Sequence, residues 1–150
     1  MEKEELKGFQ GIFFDESTRK RLIELQERKL KYEIDDMHIT FNFGKIEMYP
    51  EKLLNKEYEF KVIGYAATDM NSGFQVKLPE ELEKYFKNEN GPHITVSIGE
   101  VDGVKGKAYE TGLLNFNRIK NPFIILGKLG YYIYGKGKIM DNSIFLQNIK

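Results

Sequence analysis

The 150-residue chain holds two histidines, His38 and His93, and each is followed two positions later by a threonine, Thr40 and Thr95. The chain has only five threonines, so chance would give both coincidences roughly once in a thousand. An imidazole with an ordinary pKa of about 6.5 can give or take a proton near neutral pH. Hydrolysis of a phosphodiester needs a base for the attacking water and an acid for the departing alkoxide, and two histidines supply both. Threonine hydroxyls beside them suit the non-bridging oxygens, where negative charge grows in the transition state. The set needs no metal or other cofactor. A metal site would require further ligands, and two histidines without an evident third carboxylate support it thinly. Either motif alone would more often be an ordinary strand histidine; the matched pair reverses that balance.

Both motifs sit where the pattern predicts strands. Residues 37–43 alternate, with Met37, Ile39, Phe41 and Phe43 on one face and His38, Thr40 and Asn42 on the other. Residues 93–98 repeat the scheme, with His93, Thr95 and Ser97 opposite Ile94, Val96 and Ile98. Side chains at i and i+2 of a strand share a face, so each strand offers an imidazole and a hydroxyl together. Asn42 and Ser97 are secondary candidates on those polar faces. Tyr65 and Phe13 could stack on a base, although core packing is their commoner use.

The remaining elements frame these strands. Residues 11–15 read as a buried strand, and 17–31 as a helix capped by Ser17 or Thr18. Residues 58–68 and 74–78 read as strands about an Asn71-Ser72-Gly73 turn, and 79–86 as a short helix opened by Pro79 and closed by an Asn- and Gly-rich breaker. Residues 123–126, 131–134 and 143–146 read as strands separated by glycine turns. The glycines near the C-terminus precede no helix and make no phosphate loop. No linker divides the chain, and its length suits one domain, 1–150.

Lys+Arg and Asp+Glu balance at 23 each, so no global basic field exists to hold a long nucleic acid. A small or terminal phosphate is the expected ligand. The absence of cysteine removes disulfides, thiolate nucleophiles and Cys-based metal sites. The N-terminal residues lack a signal-peptide pattern and no run approaches a membrane span, which gives a cytoplasmic protein with no membrane partner as the expectation.

The motifs His38-Ile39-Thr40-Phe41 and His93-Ile94-Thr95-Val96 resemble those of the 2H phosphoesterase superfamily. Among its members the nearest likeness is to the cyclic phosphodiesterase domain of plant- and fungal-type tRNA ligases. There, as here in Lys87-Asn-Glu-Asn-Gly-Pro-His93, the second motif follows a strand, a short helical stretch and an Asn/Pro-bearing turn. The likeness extends over roughly residues 11–129. It implies an α+β, bilobal fold of two antiparallel-sheet lobes with helices outside and the histidines in a central cleft. It further implies opening of a 2′,3′-cyclic phosphate on an RNA end or nucleotide, with His38 and His93 as acid-base pair, Thr40 and Thr95 as phosphate ligands, and no obligate protein partner. Within these 150 residues no kinase or ligase domain is recognised, which gives action alone or in trans as the expectation, and residues 131–150 have no clear counterpart in that family. Alternatives are a 2′-5′ oligoadenylate or cyclic-oligonucleotide phosphodiesterase, and a nucleotide- or RNA-end-binding module without turnover.

Overall fold

The computed structural model describes residues 5–147 as an α+β structure dominated by antiparallel strands. In chain order the elements are β1 (Lys7–Phe13), α1 (Glu16–Leu25), β2 (Tyr32–Glu33), β3 (His38–Lys45), β4 (Glu57–Ala67), β5 (Asn71–Lys77), α2 (Glu80–Glu83), β6 (His93–Ile98), β7 (Glu100–Val101), β8 (Val104–Lys105), β9 (Asn117–Ile133), β10 (Gly137–Ile139) and α3 (Ser143–Gln147). Short 3₁₀ turns lie at Glu51–Leu53 and Ala108–Leu113. One hydrogen-bonded path runs β2-β6-β5-β4-β9-β1-β3, with β10 added to β9, and β7 and β8 form a small separate ribbon.

The strand carrying the first motif, β3, ends this path, and the strand carrying the second, β6, lies next to its other end. The sheet nevertheless brings β3 against β6. The link between α2 and β6 spans the gap: Lys87 N donates to Phe41 O at 2.9 Å, Asn88 Nδ2 donates to Thr40 O at 3.1 Å, and Phe86 packs edge-on against Phe41. Strand β9 joins the two halves, pairing with β4 over 117–128 and with β1 over 128–133. The core beneath contains Phe41, Phe60, Phe74, Ile94, Leu129 and Tyr131, all fully buried.

Several expectations from sequence need correction. Helix α1 stops at Leu25, six residues short of Lys31, and its cap is Asp15, whose carboxylate accepts from Thr18 N at 2.8 Å. Beyond Leu25 tertiary bonds replace helical ones: Arg28 N donates to Tyr65 Oη and Leu30 N to Ser97 Oγ. Leu22 is the apolar side chain of α1 that is fully buried, while Leu25 is exposed. The turn between β4 and β5 lies at Thr68-Asp69-Met70, because Asn71 already pairs with Ile98. Helix α2 covers only part of 79–86. Residues 123–126 and 131–134 are not two strands about a glycine turn; all but Tyr134 belong to β9. Its Gly127 and Gly130 admit close packing, since a Cβ there would lie 2.4 Å from Ile12 Cγ2 or Met140 Sδ. Residues 143–146 form the start of α3, where Asp141 Oδ1 accepts from Ser143 N at 3.0 Å.

The C-terminal residues lock the core through a buried polar triangle. Tyr131 Oη accepts from Tyr49 N at 2.7 Å and donates to Asn142 Oδ1 at 2.6 Å, while Asn142 Nδ2 donates to Tyr49 O at 2.8 Å. Burial pushes the Tyr131 hydroxyl up to about 12, so it keeps the proton it donates. Tyr131→Phe leaves Tyr49 N–H and Asn142 Oδ1 without that partner, and we expect a loss of about 1–3 kcal/mol. A lower urea midpoint at unchanged m-value would register it.

Candidate active site

The two motifs are built alike, down to the strand beside each. In β3, His38 stands opposite Phe13 and Thr40 opposite Gly11 of β1. In β6, His93 stands opposite Gln75 and Thr95 opposite Gly73 of β5. The register then slips at the same place in both: the next matched pairs are Asn42 with Gln10 and Ser97 with Ser72. Phe41 and Val96, the fourth residues of the two motifs, are therefore the extra residues of two β-bulges, a device that re-aims the side chains beyond it.

Glycine is required beside each threonine. Gly11 has φ +155°, and a Cβ on it would lie 2.0 Å from Ile39 O. A Cβ on Gly73 would lie 2.5 Å from both Ile94 O and Thr111 Cγ2. The paired strands can approach the motif backbone only where no side chain intervenes.

The bulges overturn part of the alternation read from sequence. A one-residue slip exchanges the faces of everything that follows. Phe43, assigned to the apolar face, pairs instead with Phe9, is 70% exposed and lines the cleft. Asn42 borders the cleft, but its amide nitrogen is engaged with Gln10 Oε1 and Lys45 O. Ser97 is fully buried and donates to Gln26 Oε1 at 2.8 Å, so it does not share a face with His93. Tyr65 is buried with its hydroxyl at Ser72 Oγ and Arg28, and it cannot stack on a ligand. Phe13 is also buried, near the His38 ring.

Each imidazole is held by the carbonyl two residues before it. His38 Nδ1 lies 2.8 Å from Asp36 O, and His93 Nδ1 lies 2.7 Å from Gly91 O. A carbonyl only accepts, so both Nδ1 atoms carry hydrogen and Nε2 of each neutral ring keeps its lone pair. Phe9 stacks on His38 with ring centroids 4.3 Å apart, and Tyr132 stacks on the far side of Phe9 at 5.0 Å. On the other ring, a Cβ at Gly112 would lie 2.7 Å from His93 Cε1, so the Ala108–Leu113 turn lays bare backbone along the imidazole. Thr95 Oγ1 donates to Ala108 O of that turn at 3.0 Å.

Burial lowers the pKa of both histidines from the ordinary value. For His38 the Asp36 carbonyl and carboxylate partly offset burial, whereas His93 and Lys138 reinforce it. For His93 the Gly91 carbonyl is the offset. Two-histidine catalysis needs one ring neutral and the other protonated. Rate then falls as pH drops through the base's pKa and as pH rises through the acid's. With both values lowered, we expect a bell-shaped kcat/KM profile with its apex on the acid side of about 6.5; an apex above neutrality would contradict the burial account. Stability has the matching sign. The contribution of neutral, buried imidazoles is complete above the unfolded value of about 6.5 and is lost as pH falls through it toward the lower folded values.

A cleft of about 750 Å³ opens over this arrangement. Thr40 and His93 line it directly. His38 is not in its wall and stands behind Phe9, which is; Thr95 is likewise set back under the 3₁₀ turn. The remaining wall includes residues with no signal as site candidates in the sequence: Lys87, Asn88, Asn90, Tyr109 and Tyr134. The glycines opposite the threonines gave no such signal, because Gly11 opens the strand read over 11–15 and Gly73 falls in the turn read over 71–73. Among the described residues, no three His, Asp or Glu side chains are grouped as metal ligands. No helix there is long and apolar enough to cross a membrane.

No protein-family model matches this chain, and a search of curated proteins finds no significant match. The geometry therefore carries the functional reading.

Proposed function

We propose that the chain is a metal-independent phosphodiesterase of the 2H type that opens a 2′,3′-cyclic phosphate by two-histidine acid-base catalysis. The observation that carries this reading is the duplicated half-site. Two His-x-Thr strands share a carbonyl-bound Nδ1, a glycine opposite the threonine and a bulge at the fourth motif residue. A lone strand histidine has no need of any of these.

In the proposed step, the Nε2 of one neutral imidazole takes a proton from water as the water oxygen bonds to phosphorus. The bond from phosphorus to one ribose oxygen breaks, and the other imidazolium gives its proton to that oxygen. One P–O bond forms, one breaks, and the product is a ribose phosphomonoester. Thr40 and Thr95 hold the non-bridging oxygens; Thr95 must first release Ala108 O, because a hydroxyl has one proton to donate, and His38 acts only once the Phe9 ring that covers it moves aside.

Incubating the purified protein with 2′,3′-cyclic nucleotides in EDTA and assigning 2′- or 3′-phosphate products tests the proposal. Turnover that survives chelation supports it, and the regiochemistry identifies which ribose–phosphate bond opens. No turnover of cyclic-phosphate ends would leave a binding module as the better account.

A further inference from the structure

The cleft has aromatic side chains exposed on both of its walls. On the first-motif side, Phe43 at the end of β3 and Tyr134 just after β9 are 70% and 63% exposed. On the second-motif side, Tyr109 of the Ala108–Leu113 turn is 68% exposed. All three line the same cleft as Thr40 and His93. Phe43 reaches it only because the β3 bulge reverses its facing, so the device that shapes the phosphate site also delivers an aromatic ring beside it. Leaving large rings in water gains nothing for folding, and an exposed ring offers its face to any nucleobase.

The charges argue for a short ligand. Two charged side chains line the cleft, Lys87 and Glu89, and Lys87 is already paired with Glu47. A groove that followed a long phosphate backbone would carry a run of unpaired cations. The cleft offers ring faces around one phosphate position in place of that run.

We infer that the substrate is a short single-stranded oligonucleotide end bearing at least two bases, one against Tyr109 and the other against Phe43 and Tyr134. This rests on the phosphodiesterase reading and adds that a cyclic mononucleotide fills only half the site. The test compares kcat/KM for a dinucleotide ending in a 2′,3′-cyclic phosphate with that for the matching cyclic mononucleotide. We expect a preference of at least about fivefold for the dinucleotide, the low end of what one stacked base contributes. Tyr109→Ala and Phe43→Ala should each shrink this ratio, whereas Tyr109→Phe should preserve it, because stacking needs the ring and not the hydroxyl. Both positions are exposed, so the variants test binding without opening the core.

Turnover of both substrates with a ratio near unity would overturn the two-base inference and leave the hydrolase reading standing. So would a ratio that Tyr109→Ala and Phe43→Ala both leave unchanged. Turnover of neither would remove both.

Discussion

His38→Ala and His93→Ala should each lower kcat on a 2′,3′-cyclic phosphate by at least ~10²-fold, the effect of removing one general acid or base. Each variant also loses the bond from Nδ1 to the Asp36 or Gly91 carbonyl, so the rates are compared on protein whose folding has been checked by its urea midpoint. The double variant should fall little below either single one, because proton donor and acceptor act as a unit and the loss of one already disables the pair. His38→Asn and His93→Asn sharpen the test. Asparagine can still bond the carbonyl of Asp36 or Gly91 but cannot cycle a proton, so activity should remain lost. A single-histidine variant with near-normal kcat would end the two-histidine account.

Gly11→Ala should be as severe while leaving both motifs intact. At Gly11 the new Cβ would press on Ile39 O, a backbone atom with little freedom to yield, and φ +155° is unfavourable for any residue with a Cβ. The expected cost is about 3 kcal/mol. The folded fraction should also lose at least ~10²-fold in kcat/KM, because the strand holding His38 and Thr40 must move and misplacement on the 1 Å scale has that effect. Gly73→Ala should behave in the same direction through Ile94 O and Thr111. Gly103→Asn is the contrast. Gly103 also has positive φ, +78°, but nothing lies near its Cβ position and asparagine tolerates that region. It should change stability by under about 1 kcal/mol. If Gly11→Ala matched wild type in stability and rate, the bulges would have no part in placing the threonines.

The two motif strands were legible in the sequence because alternation survives in 38–41 and 93–96, where each histidine and threonine does share a face. It fails one residue later. A bulge is a property of a pair of strands and not of either one. The same limit explains Phe43 and Ser97, whose facings depend on a slip that no local pattern records. Helix α1 ended early because Tyr65 and Ser97, distant in sequence, offered Arg28 and Leu30 better partners than the next helical turn. Residues 143–146 were ambiguous for a simpler reason: Ser143 followed by three apolar residues is too short a run to distinguish a strand from a helical turn. Tyr109 and Tyr134 gave no warning, since an aromatic in a loop reads as packing until its exposure is known.

The role of β9 as the joint between the two groups of strands bears on when the protein becomes competent during synthesis. Both histidines precede residues 117–133 in the chain, yet no strand pairing joins β1 to β4 except through β9. Before β9 is added, β1 can pair with β3 and β4 with β5 and β6, giving two groups of strands, each with one imidazole, held together through the link between α2 and β6. The last strands then register both pieces at once, through Lys128 opposite Phe13 on one edge and Glu57 on the other. Until that closure, the open edges of β1 and β4 are available to pair with other chains, which makes the interval before β9 emerges the period of greatest exposure to aggregation.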